Sequence, residues 1–403
     1  MSLVQTPQEI PLLDILRRSG AVTFERYMAL CLYHPEYGYY MRGHERTGAR
    51  GDYFTSPDLH PIFARLIARQ AVEIWEMLGK ASSFAWVEMG PGRGWFARDF
   101  IEWARKQRPD FARALHYVII EPNPEQRKLL RERIAQDAFS AGTPDAMGPA
   151  CKPPLGPRVR VLPSLEVPEP MVGCFFANEL VDAFPVSVVT RSGGRLKEVY
   201  VTVQGDALRE KLGPISDPSI ASAVARYARD LEEGQRVEVN LNVGRWMRSV
   251  AEKLVRGFVI TVDYGDLAEN LYTSDRSRGT LMAYRRHIPS DDLFSAPGEQ
   301  DLTSHVNFSA LIDAAKEAGL DFTGFTTQER FLLALGEGKE FADLYDEAES
   351  EQERLVARLK LKRMLYPEGM GTVFKVLILH RGVVEPSLTG LRYARKDKPP
   401  VKR

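Results

Sequence analysis

Val87-Glu88-Met89-Gly90-Pro91-Gly92-Arg93-Gly94 decides the fold. The apolar run Phe84-Ala85-Trp86-Val87 feeds it, and a helical pattern from about Trp95 to Gln107 leaves it. Such a strand delivers its backbone into a turn of alternating glycines. Their missing side chains let a ligand approach the main chain, and the following helix offers unpaired N–H donors. Glu88 stands directly before the glycines, where it would repel the diphosphate of a dinucleotide but attract an ammonium or sulfonium. Glu121 closes the next apolar run, Tyr117-Val118-Ile119-Ile120, 121 − 88 = 33 residues on. A carboxylate there can accept both hydroxyls of a ribose. The spacing is GxGxG, not GxGxxG. Glu88, Gly90, Pro91, Gly92, Gly94 and Glu121 together therefore predict S-adenosyl-L-methionine rather than a nicotinamide dinucleotide, with S-adenosyl-L-homocysteine as product. The plainer alternative is a structural strand-to-helix turn carrying two exposed acids.

Outward from this loop the chain keeps alternating. A helix over about Pro124–Gln136 is followed by apolar runs at Val159–Leu162 and Cys174–Ala177. Short buried strands separated by amphipathic helices predict a doubly wound, mostly parallel sheet. The fold class expected is α/β, a class I methyltransferase Rossmann-like sheet with an inserted α+β subdomain and an N-terminal helical extension. Residues 1–80 form that extension and a loop able to close over the cofactor. Residues 81–185 form the binding core, and 186–256 an inserted hairpin and helical subdomain. Residues 257–385 complete the core with loop insertions, and 386–403 read as a disordered basic tail. The hairpin is placed across Ser192-Gly193-Gly194, a charged helix at 338–364, and a last strand at Thr372–Leu379. Thr55-Ser56-Pro57-Asp58 opens one long helix, with Ser56 as N-cap.

Composition removes whole classes of function. Lys+Arg and Asp+Glu both count 54, so there is no basic excess for nucleic acid or an anionic membrane. No apolar run approaches the roughly 18 residues of a membrane span. The 3 cysteines, Cys31, Cys151 and Cys174, form no disulfide framework and no metal pair, which points to a reducing compartment. Glu9 and Asp14 interrupt any acid-free leader, and the expected location is the cytoplasm. His287 and His305 lack the closely spaced companions a metal needs, so no metal is expected.

A second stretch, Ala177-Asn178-Glu179-Leu180-Val181-Asp182-Ala183-Phe184-Pro185, leaves the fourth strand. Open α/β sheets bind ligands beyond the carboxyl ends of their strands. Asn178 and Glu179 are placed where a methyl acceptor sits, with Asp182 about one turn away. Equally, Asn178 and Asp182 could cap a helix and leave Glu179 solvated. Asp263-Tyr264-Gly265 ends a later strand on the same edge. Tyr53, Thr55 and Ser56 are candidates to touch the methionine end of the cofactor.

These stretches, with Gly51–Pro57, Glu121-Pro122-Asn123-Pro124, Gly279-Thr280-Leu281, Gln300–Phe308 and Gly371–Val376, resemble the MidA-type methyltransferases. That family of class I enzymes includes a mitochondrial complex I assembly factor. The match runs in order from about residue 10 to 380, and the ANELxDAxP and DLTSHVxF stretches are its most specific parts. The resemblance implies a protein-arginine N-methyltransferase making symmetric dimethylarginine, with the complex I 49-kDa subunit or a relative as protein substrate. Its compartment would then be the cytoplasm, or the mitochondrial matrix in a eukaryotic relative. Glu179 would be the catalytic acid, Asp182 or Asp263 the second, and Asn178 the orienting group. Two alternatives stand beside this: a methyltransferase acting on a small molecule or another residue, and a non-catalytic assembly protein. A carboxylate-rich acceptor pocket would favour arginine, an apolar or histidine-based one the small molecule. The 186–256 insertion could serve a partner or a homodimer.

Overall fold

The computed structural model describes residues 11–42, 48, 51–52, 55–140, 157–165, 169–345, 348, 350–366 and 370–394, with backbone alone for 135–140. The centre is one sheet, whose seven long strands we number in chain order. They are β1 (Phe84–Met89), β2 (Leu115–Ile120), β3 (Arg158–Leu162), β4 (Met171–Asn178), β5 (Leu254–Asp266), β6 (Asp321–Thr327) and β7 (Phe374–Arg381). Across the sheet the order is β6-β7-β5-β4-β1-β2-β3. The pairings among β3, β2, β1, β4 and β5 are parallel, while β7 lies antiparallel between β5 and β6. The strand order reverses between β1 and β4, and ligands of open α/β sheets bind at that reversal. The glycine loop leaves β1 and the Asn178-Glu179 stretch leaves β4, so both of the predicted site segments arrive there.

Burial explains why these short runs are strands. Every residue of Phe84–Met89 is buried, which a strand covered on both faces requires. Trp86 packs one way, against Phe100 and Phe176 with ring centroids 4.7 and 5.4 Å away. Val87 points the other way, into a cluster with Phe175, Trp246 and Met247. This places helix Asn242–Lys253 on the core sheet. The insertion therefore ends near residue 241 and not at 256.

The inserted sheet is larger than the predicted hairpin. Ser187–Ser192 pairs antiparallel with Arg195–Gln204 as expected. Ala207–Gly213 adds a further strand, Arg236–Val239 another, and Val22–Thr23 of the N-terminal extension a fifth. The extension is thus tied to the insertion, and Tyr27, Met28 and Leu32 share a core with Val188, Val199 and Val201.

Three other expectations are corrected. The helix expected to run on from Ser56 is broken: a short piece, Ser56–Leu59, ends at His60, whose extended backbone (φ −162°) starts the turn into Ile62–Met77. Thr55 is its N-cap, donating from its hydroxyl and its backbone N–H to Asp58 Oδ2 at 2.8 and 3.1 Å. The charged helix spans Glu351–Leu365 only. Of the supposed tail, residues to 394 are docked: Leu388 is buried and Thr389 N–H donates to Glu73 at 3.0 Å. The remainder, 395–403, lies outside the described residues.

Candidate functional site

The three glycines divide their labour. All have positive φ, 69°, 52° and 81° for Gly90, Gly92 and Gly94. A Cβ on Gly94 would stand 2.6 Å from Leu130, and one on Gly90 3.0 Å from Leu180, so these two permit packing. A Cβ on Gly92 would meet nothing within 4 Å. It would project into an open cavity of about 1380 Å³, mouth included, which Gly92 lines. Helix Trp95–Gln107 begins at the same place, its N-terminal N–H groups facing an anion-binding position.

The cavity joins two sets of groups. On one side are Glu88, Gly90, Pro91, Gly92, Glu121, Pro122 and Gln126; on the other Thr55, Asp58, Asn178, Glu179 and Leu180. Glu88 is buried at the end of β1, which pushes its carboxyl up to about 7 while a 2.6 Å hydrogen bond from the Tyr117 hydroxyl pulls the other way. Glu121 ends β2 and is 7% exposed, with Oε1 accepting from the Asn123 N–H at 2.7 Å. Carboxylates at the two strand ends, a helix N-terminus, and bare backbone between them match the groups of S-adenosyl-L-methionine: ammonium or sulfonium, carboxylate, and ribose hydroxyls. The residues present fit that cofactor.

The acceptor side is built on a strained turn. Glu179 has φ 51°, a conformation costly for a residue with a side chain, and its N–H donates to Val262 O at 2.9 Å. What holds it there is Asp263. Its Oδ2 accepts from the backbone N–H groups of Leu180, Val181 and Asp182 at 3.2, 2.9 and 3.3 Å, and its Oδ1 from Tyr264 N–H at 2.9 Å. Asp263 is wholly buried and serves as the brace of the turn, not as the second acid beside the acceptor. Asp182 is also turned away from the cavity. It hydrogen-bonds the Tyr264 hydroxyl, and its carbonyl accepts from Ser304 N–H at 3.0 Å. Burial raises both carboxyls, Asp182 to about 6, and Asp182 further raises Asp263 by repulsion.

Glu179 itself lines the cavity beside Asn178, whose Nδ2 donates to Glu179 Oε1 at 2.9 Å. Burial pushes the Glu179 carboxyl up to about 8, with repulsion from Asp182 adding to it and the Asn178 hydrogen bond opposing it. The buried Oδ1 of Asn178 has no hydrogen-bond partner among the described residues. An unsatisfied buried acceptor of this kind costs about 1–3 kcal/mol unless a ligand supplies a donor.

Of the lid candidates, Thr55 lines the cavity. Ser56 is fully buried with its hydroxyl toward Gln328 at 3.3 Å, but its backbone N–H reaches the Glu179 carboxyl. Tyr53 lies outside the described residues. Sequence reasoning missed Asp58, which it read only as a helix-start acid, and Tyr33 and Tyr40, which bring the N-terminal extension to the cavity wall. It also missed Trp95, flanked by Arg93, Arg98 and Arg133 with guanidinium carbons 5.1, 4.4 and 5.1 Å from the ring. No group of three His, Cys, Asp or Glu able to hold a metal occurs among the described residues, and His305 lines a different cavity.

Residues 66–326 match the model of the Methyltransf_28 family of S-adenosyl-L-methionine-dependent methyltransferases. The chain belongs to that family. A Burkholderia thailandensis protein crystallised with S-adenosyl-homocysteine bound is 28% identical, with a TM-score of 0.82 over 98% of this chain and 99% of that one. Protein arginine methyltransferase NDUFAF7, mitochondrial, of Homo sapiens is 27% identical over 98% of this chain and 88% of its own length. The Drosophila melanogaster homologue is 27% identical over 92% of this chain and 84% of its own. This methyltransferase therefore has the fold and cofactor read from its glycine loop. Replacing Glu121 by Ala removes the carboxylate at the ribose position. S-Adenosylhomocysteine binding measured by calorimetry is expected to weaken by about tenfold to a hundredfold, as for one or two charge-assisted hydrogen bonds lost.

Proposed function

We propose that this methyltransferase methylates arginine in a protein, and that Glu179 and Asn178 hold the guanidinium. The observation that carries this reading is their pairing at the end of β4: a carboxylate and an unpartnered amide oxygen lining one cavity. A guanidinium offers five N–H donors in a fork and no acceptor, so it can satisfy both. Asp58 lines the same wall, and no histidine is among the described cavity-lining residues. That favours the cation over the small-molecule reading.

Bound S-adenosyl-L-methionine supplies a methyl group on a sulfonium, open to in-line attack. The chain's residues supply position and proton transfer. A protonated guanidinium is a poor nucleophile. Glu179 draws its positive charge toward one side, leaving more lone-pair character on the nitrogen aimed at the cofactor, and takes the proton that methylation releases. Asn178, held by its bond to Glu179, fixes the plane of the guanidinium. Asp263 keeps the turn in its left-handed shape, so that both groups enter the cavity together. The three scattered cysteines, and the burial of Cys31 and Cys174 as free thiols, support a reducing compartment, the cytoplasm or a mitochondrial matrix. The names of the full-length relatives support a protein acceptor. The resemblance supports the complex I 49-kDa subunit or a counterpart, with symmetric dimethylarginine as product.

The pH dependence tests the role of Glu179. Its carboxyl titrates at about 8 in the free protein, so it is mostly protonated at pH 7. The ionised form binds the cation. kcat/KM for the acceptor should rise about tenfold per pH unit below 8 and level off above it. In Glu179→Gln this limb should vanish. An unchanged limb in that variant assigns the titration elsewhere and removes Glu179 from the reaction.

A further inference from the structure

Helix Glu351–Leu365 has two apolar faces. Ala357 and Met364 are buried, with Leu361 and Leu365 packed beside them against the core that includes Phe331 and Leu332. Leu355, Val356 and Leu359, with Tyr366 at the C-cap, lie roughly half a turn around and are 53%, 44%, 57% and 51% exposed. A helix on a domain surface ordinarily puts charge on its outer face. Here the charge lies on the flanks of the apolar stripe, and it is basic. Arg354 and Arg358 both lean on Glu351, at 3.5 and 3.7 Å, whereas Lys360 and Lys362 have no carboxylate partner among the described residues.

The face lies next to the lid of the active site. Ser56, whose backbone N–H reaches Glu179, donates its hydroxyl to Gln328, and Gln328 in turn donates to the carbonyl of Met364 on this helix at 3.3 Å. Lys360 is near enough to His60, at the end of the lid helix, to help burial lower that imidazole's pKa to about 4. We propose that the outer face of helix Glu351–Leu365 docks an acidic, apolar-faced helix of the protein that is methylated. The inference rests on the protein-substrate reading above. Charge decides the occupant. A second copy of this helix packed across a two-fold axis would set basic flank against basic flank. The chain's own last residues, 395–403, carry five basic residues and one acid, and complement the face no better.

The test uses the full chain and a fluorescent helical peptide with leucines on one face and glutamates on the other. The wild-type protein should bind it in a salt-sensitive manner. A counterpart with lysine in place of glutamate should bind at least about tenfold more weakly, as should the glutamate peptide to L355E/L359E or to K360E/K362E. S-Adenosylhomocysteine binding by these variants should be unchanged, which shows them folded. Equal binding of both peptides, or binding unchanged in the variants, overturns the proposal. Phosphatidylserine vesicles captured by this face in place of the peptide, or a dimer in sedimentation that L355E/L359E dissolves, would assign it to a membrane or a second copy and equally overturn it. The readout needs no methyl transfer. Failure of the arginine chemistry with intact peptide binding is therefore distinguishable from failure of docking.

Discussion

Glu179→Ala is expected to lower methyl transfer by about a thousandfold while leaving S-adenosylhomocysteine affinity within about twofold of wild type. A positioned proton acceptor contributes roughly 10²- to 10⁴-fold, and the lost carboxylate also no longer gathers the guanidinium's charge. Cofactor binding is spared because Glu88, the glycine loop and Glu121 lie across the cavity from Glu179. Removing a buried acid that titrates at about 8 also relieves desolvation and repulsion from Asp182, so the turn is not destabilised on that account. Steady-state rates beside calorimetry make the check. Unchanged turnover in a variant that binds the cofactor would take Glu179 off the catalytic list, and lost cofactor binding would mean the two halves of the cavity are not separate.

Gly92→Val is the complementary case, with the effect on binding. Its new side chain would occupy open cavity next to the backbone that the cofactor must approach, at a position with φ 52°. Cofactor affinity should fall by at least about a hundredfold, since a blocked approach forfeits the backbone contacts as well as the volume. The fold should survive: nothing stands within 4 Å of the new Cβ, and the backbone strain is about 1–2 kcal/mol. Gly94→Val gives the contrast, because its Cβ would strike Leu130 and should cost stability first. Circular dichroism melting and calorimetry on both variants separate the two roles. A folded Gly92→Val protein with wild-type affinity would contradict the placement of the cofactor.

The alternation of strand and helix was legible because strands covered on both faces must be apolar throughout, as in Phe84–Met89 and Leu115–Ile120. The glycine loop was legible because close ligand approach leaves few residue choices. Ala207–Gly213 was not, since this strand is mostly exposed and polar and carries no buried-strand signal. Helix Asn242–Lys253 was seen but assigned to the wrong layer. Its amphipathic pattern states that one face is covered, not by which sheet. The same limit governed the acids. Glu179, Asp182 and Asp263 all sit at strand ends on the correct edge, yet only Glu179 lines the cavity. Whether a carboxylate meets the ligand or the backbone depends on the turn geometry that Asp263 itself imposes, across 83 residues of sequence, and no local spacing encodes it. Asp58 was hidden for the opposite reason, because its capping role accounted for it fully.

The most direct measurement is the chemical identity of the methylated product. Purified protein, methyl-labelled S-adenosylmethionine and a lysate from cells lacking this protein are incubated, and the protein fraction is hydrolysed for amino-acid analysis. The account predicts label in ω-N-methylated arginine, present with wild type and absent with Glu179→Ala. Label in any other residue or confined to small molecules would contradict it.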